Sequence, residues 1–203
     1  MDKNCNRSSL PTLYLFLFVF VFIFLNQSYH FGDNNHIEQL PHLFSRQDTS
    51  YLSNDFFVQY TRELNPRTYY TAFLAYFIRL FPLDLSFYLL TFLANFFILL
   101  VSYHLSYRLT KNPLFALSSA VLLTLDHKTN LGQAGQVIDS YLVPQLLATP
   151  LVLSAYLFSL SRRLNLSVFL LFAALPLHPS LSVLTSVLMI PNICFDRSQL
   201  GRL

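Results

Sequence analysis

The densest run of chemistry-bearing side chains is Gly32-Asp33-Asn34-Asn35-His36-Ile37-Glu38-Gln39-Leu40-Pro41. Asp33, His36 and Glu38 could bind a divalent cation, because carboxylate oxygens suit Mg or Mn and an imidazole fits Mn better than Mg. Asp33 could equally act as a general base. The same spacing also fits a solvated polar loop in which Asp33 caps the next helix. Arg67, Arg79 and Lys128 could hold a phosphate, since a guanidinium makes forked contacts to phosphate oxygens. Their other reading is that of anchors snorkelling to a lipid–water boundary. His178 lies in Pro176-Leu177-His178-Pro179, where it is either a second catalytic group or an interfacial histidine beside a proline turn. Asp126-His127-Lys128 and Asp139 add ionisable groups between two apolar segments. No P-loop, G-x-S-x-G elbow, H-E-x-x-H or dinucleotide fingerprint occurs. Cys5 and Cys194 lie near opposite ends and form no metal or disulfide spacing.

The elements that must position these groups are apolar. Of 203 residues, 54% are hydrophobic and only 11% charged, with 21 Phe, 12 Tyr, 4 Gly and no Trp. Soluble domains carry about 25% charged residues. This composition excludes a disordered chain and a nucleic-acid binder built on a basic face. It points instead to an all-α, polytopic transmembrane bundle of about five to six spans, a single membrane domain over 1–203. Residues 10–28 form the first transmembrane helix, because Leu13 to Leu25 is wholly apolar and no small-residue cleavage site follows it. Residues 29–82 form a long extracytoplasmic loop, polar as far as Arg67. Its apolar, Tyr-rich part, 68–81, suits a helix at the water–lipid interface. Residues 83–194 form the transmembrane bundle. Its clearest span is Leu85–Tyr103. Tyr141–Leu160 is expected to be broken by Pro144 and Pro150. Leu164–Cys194 is too long for one straight span and is expected to fold back at His178.

Basic residues set the orientation. With the N-terminus in the cytoplasm and 68–81 not crossing, eight bases fall on short inner segments: Lys3, Arg7, Arg108, Lys111, Arg162, Arg163, Arg197 and Arg202. The other five, Arg46, Arg62, Arg67, Arg79 and Lys128, lie outside on longer segments. Letting 68–81 cross would put Arg162 and Arg163 outside. Asp33, Asp126, Asp139 and His178 then share the outer side.

This order of parts, with Tyr51-Leu52-Ser53-Asn54-Asp55-Phe56, Pro66-Arg67-Thr68-Tyr69-Tyr70 and Leu177-His178-Pro179 beside the 32–41 run, resembles a group of bacterial polytopic membrane proteins. Over residues 12 to 190 the layout is similar to the N-terminal part of the GT-C superfamily of membrane glycosyltransferases. The resemblance implies a multi-pass protein of the bacterial inner membrane and a polyprenyl-phosphate-linked sugar as donor. It implies transfer on the outer face, with Asp33 as base or metal ligand. It also implies a chain truncated relative to the family. A non-catalytic scaffold, pairing with another membrane subunit, and a transporter subunit are the competing expectations. Spans with so few ionisable groups count against transport.

Overall fold

The computed structural model describes residues 9–26, 29, 31–32, 35–65, 67–125 and 142–194. Among these, all regular structure is helical: α1 (Ser9–Asn26), α2 (Asn35–Gln47), α3 (Phe56–Thr61), α4 (Thr68–Phe77), α5 (Leu83–Thr110), α6 (Pro113–Leu125), α7 (Pro144–Leu160), α8 (Leu164–Ala174) and α9 (Pro179–Cys194).

Local sequence accounts for the ends of these helices. Asp84 stands in the first turn of α5 and Arg108 in its last, each opposite in sign to the helix dipole there. Lys111 takes a left-handed conformation (φ 57°) that stops α5. The Asn112 side chain accepts from the Leu114 and Phe115 N–H groups and so caps α6. Pro144 sits at the start of α7, where its missing N–H costs nothing. Pro150 lies inside α7, and the helix runs on through it rather than breaking as expected. Its loss of one donor is tolerated within a packed bundle. At the end of α7, Arg162 is left-handed and the Arg163 N–H reaches back to the Phe158 carbonyl, a closed helix terminus.

Helices α1 and α5–α9 pack as an apolar bundle. α5 touches α6 and α7, α1 lies on α5 and α6, and α7 carries the α8–α9 pair. Phe16 and Phe20 of α1 set their rings against Tyr103, Phe92 and Phe96 of α5. The seam between α7 and α8 is built from small residues: Ala148, Ala155, Ser167 and Ala174 are fully buried. They let the backbones approach closely enough for the Ser167 hydroxyl to donate to the Ala155 carbonyl at 2.6 Å. The Ser167 Oγ also lies 3.7 Å from the Met189 sulfur of α9. α9 therefore runs back beside α8, with the turn 175–178 at the tip of a hairpin.

Outward-facing positions are also apolar: Phe18, Leu122, Phe169 and Phe172 are each about two-thirds exposed. One helix among the described residues, α5, is both long and apolar enough to cross a membrane. At 1.5 Å per residue its 28 residues span about 42 Å, against about 30 Å for a bilayer's hydrocarbon core. The apolar helices α6 to α9 are shorter. An Arg108 N–H donates to the Leu160 carbonyl at 2.7 Å and joins the C-terminal ends of α5 and α7. With 28 residues against 17, α5 is the longer of the two by about 16 Å of helix length.

α2, α3 and α4 form a lobe beside the start of α5, where His36 meets Phe87, and its Leu43, Tyr70 and Leu74 share one hydrophobic core with the bundle. About half of 29–67, read from sequence as a polar loop, is occupied by α2 and α3.

Candidate functional site

α2 is amphipathic in an inverted sense. It buries His36, Gln39, His42, Leu43 and Ser45 and exposes Ile37, Glu38 and Arg46. Its polar side chains recur every three residues, close to one helical turn, so they line one face. That face meets α4 and the backbone just before α7.

His36 is fully buried, and its ring is bonded through both nitrogens. Nε2 lies 3.1 Å from the Leu142 carbonyl. The Gly32 N–H donates to Nδ1 at 3.0 Å. A carbonyl only accepts and an N–H only donates, so these two partners select the neutral tautomer protonated at Nε2. Gly32 has φ +89°, a conformation that side-chain-bearing residues rarely adopt, and this turns its N–H back onto the ring. The Phe31 and Phe87 rings flank the imidazole at 5.6 and 5.0 Å.

The Leu142 carbonyl receives a second donor. The Tyr70 hydroxyl lies 3.3 Å from it and 3.0 Å from Gln39 Oε1. Burial pushes the Tyr70 hydroxyl well above its ordinary pKa, so it stays a donor. Gln39 Nε2 is buried and finds no hydrogen-bond partner among the described residues, nor does the Tyr29 hydroxyl. Tyr29 sets its ring edge on Tyr88, and burial, with the Asp84 carboxylate adding, raises its pKa.

His42 follows one turn later. Burial, then the charges of Arg46 and Arg67, pushes its pKa down to about 4. It is neutral at ordinary pH and accepts from Arg46 Nε at 3.5 Å. Arg67, at the start of α4, pairs with Glu38 at 2.6 Å and ties α4 to the exposed side of α2.

The residues singled out in the sequence are distributed as follows. Asp33 and Lys128, with Asp126, His127 and Asp139, lie outside the described residues. His36 and Glu38 are two residues apart on α2, about half a turn, and so face different surroundings, one in the core and one on Arg67. As a metal pair they do not fit, because both His36 nitrogens are engaged. Among the described residues no group of three His, Cys, Asp or Glu side chains is placed to hold a metal. Arg79 is exposed just beyond α4. His178 turns its Nδ1 onto the Leu181 N–H at 3.2 Å and so caps α9, with Pro179 at its first position.

The structure does bring two of these regions towards each other. A groove of about 460 Å³ separates the lobe from the α8–α9 turn, lined by Leu64, Asn65 and Tyr69 on one side and Leu175, Pro176 and Pro179 on the other. Arg67 falls between the lobe-side residues in sequence, and His178 between those of the turn. Gln39, His42, Tyr70 and the Leu142 carbonyl were not singled out. The first two carried a visible signal in the three-residue spacing of His36, Gln39, His42 and Ser45. The Leu142 carbonyl carried none, being backbone. No family model, curated protein or solved structure matches the chain.

Proposed function

We propose that the chain is a multi-pass protein of the bacterial inner membrane, with about five to six spans and its N-terminus in the cytoplasm. In this reading the α2–α4 lobe stands on the outer face and handles a polyprenyl-phosphate-linked sugar in the manner of GT-C glycosyltransferases. The observation that carries the reading is the groove between a lobe with a polar core and a bundle with an apolar surface. A lipid-linked sugar has the same division, an apolar chain and a polar head, and such a boundary suits both parts. Asp33 directly follows Gly32, which is fixed to His36, and it is the carboxylate nearest in sequence to this node.

The chemistry assigns few roles. Asp33 takes the proton of an acceptor hydroxyl. That oxygen bonds to the anomeric carbon of the sugar as the bond from that carbon to the phosphate oxygen breaks. The polyprenyl phosphate leaves, and its charge is met by Arg67, with Arg79 and Lys128 as the further cations. Both nitrogens of His36 are spent and Glu38 is paired with Arg67, so no step runs through a divalent ion at these residues.

The test is transfer of a radiolabelled sugar from a polyprenyl phosphate by the protein in proteoliposomes. Wild type is expected to transfer, and Asp33→Asn to lose transfer while keeping the wild-type melting temperature. Transfer undiminished in Asp33→Asn removes Asp33 from the mechanism. An inert wild type across hexose and pentose donors leaves the scaffold or transporter-subunit reading.

A further inference from the structure

The lobe has an outer surface that its own core does not use. α3 is firmly built: the Asp55 carboxylate caps it by accepting from the Val58 N–H at 2.9 Å, and Val58 is buried as its anchor. Yet Phe56 is 83% exposed, and Tyr60 and Leu64 are exposed beside it. α4 repeats the pattern. Tyr70, Thr71 and Leu74 are buried, while Tyr69, Phe73 and Tyr76 form an exposed stripe at helical spacing and Leu80 is exposed just beyond the helix. These large apolar side chains lie in the part of the chain that is otherwise most polar. An exposed apolar patch of this kind marks a contact surface.

We propose that α3 and the exposed stripe of α4 form a paddle that inserts into the outer leaflet of a phospholipid bilayer and seats the lobe flat on the membrane. Three observations favour lipid over a protein partner. First, the surface is continuous with the membrane-crossing helix. The rings of Phe73, Phe77 and Phe81 follow one another at 6.1 and 5.4 Å, and α5 begins two residues after Phe81. The end of α4 is thus tethered at the level where α5 enters the membrane. Second, the paddle is rich in Tyr and Phe, whose rings settle at the headgroup level. Third, residues 56–82 hold Arg62, Arg67 and Arg79 against the single acid Glu63, and with Arg67 paired to Glu38 of α2 the balance still leaves Arg62 and Arg79 to face phosphate headgroups. Seated this way, the groove beside Leu64 and Tyr69 opens at the depth of the upper acyl chains.

The inference rests on the multi-pass reading, and one experiment separates the two. The chain has no Trp, so each introduced Trp reports alone. Single variants Phe56→Trp, Tyr60→Trp and Tyr76→Trp place the reporter on the paddle, and Phe97→Trp places it in the middle of α5. All four positions are exposed, so the core is not disturbed. Each full-length variant is reconstituted in phosphatidylcholine and phosphatidylglycerol vesicles whose lipids carry bromine either near the headgroup or near the chain end. The paddle reporters are expected to be quenched more by shallow bromine, and Phe97→Trp more by deep bromine. Should Phe97→Trp be quenched by bromine while the paddle reporters answer only to aqueous acrylamide, the paddle is overturned and the multi-pass reading stands. The paddle is equally overturned if its reporters respond to neither quencher, as when a protein covers them. If Phe97→Trp also escapes bromine, both fall. If one paddle variant fails to fold, the other two still decide the outcome.

Discussion

The bundle and the lobe bury their interiors by opposite means. In the bundle, α5 presents Leu90, Ala94, Ile98 and Leu99 to Leu117, Ala120 and Leu146, and the packing is chiefly apolar, with hydrogen bonds from Ser167 to Ala155 and from Arg108 to Leu160 between helices. In the lobe, α2 presents Leu43 together with His36, Gln39, His42 and Ser45, and hydrogen bonds join His36 to Leu142 and Tyr70 to Gln39. Carbon contacts tolerate sliding, and inside a bilayer they gain little from excluding water, since the lipid is equally apolar. Hydrogen bonds fix direction and register, and a buried donor left without a partner costs about 1–3 kcal/mol. The bundle is thus specified by shape and the lobe by pairing, so the two should respond to different perturbations.

Phe87 belongs to both. It is fully buried in α5, and its ring edge meets Phe31 and His36. Phe87→Ala is expected to cost about 3–5 kcal/mol, as large aromatic deletions in cores do, and to loosen both regions in one unfolding transition. Calorimetry of the detergent-solubilised protein checks this. Two separated transitions would show the regions to be independent. Acid should act on the lobe through His42. His42 is held near 4 in the folded protein and titrates near 6.5 when unfolded, so the unfolded chain takes up its proton first. Stability is retained above about pH 6.5 and falls as the pH drops towards 4, by about 2–3 kcal/mol at about 1.4 kcal/mol per unit. His42→Gln should flatten that part of the profile.

Tyr70→Phe sharpens the contrast further. It keeps the ring and removes the hydroxyl that reaches Gln39 and Leu142, so a loss of about 2 kcal/mol would measure pairing without packing. A melting temperature unchanged from wild type would mean the lobe is held by shape after all. Glu38→Gln should do least. Its ion pair with Arg67 is about half-exposed, and such pairs contribute less than about 1 kcal/mol. Thermal melts at low and high salt would show a difference only in wild type.

The same contrast explains what was legible in the sequence. Runs such as Leu85 to Tyr103 announce an apolar helix by composition, and the prolines flanking His178 mark a turn between two helices. The lobe was harder. α2 contains Pro41 and almost no apolar run, so hydropathy reads it as loop, although its polar residues keep helical spacing. α3 is a six-residue helix whose one buried side chain among those described is Val58, too short to leave a period. His36 was legible as a residue of interest but not in its role. Its type permits a metal ligand, and only the positions of Gly32 and Leu142 show that both nitrogens are spent. His178 was legible in the same partial way, since a histidine before a proline does not reveal that its ring caps α9.

The Leu142 carbonyl has a consequence of a different kind. Two side chains more than seventy residues upstream close on one main-chain oxygen, which every amino acid supplies. No particular side chain at position 142 is needed for that acceptor to persist, so an alanine scan would register only the lost packing of the buried Leu142 side chain and leave the two hydrogen bonds unseen, and a comparison of variants would find no partner changing in step with His36 or Tyr70. The joint can be broken from the α2 or α4 side by substitution. From the α7 side it yields only to an edit of the backbone itself, such as an ester in place of the amide, or to an insertion that carries the chain out of register.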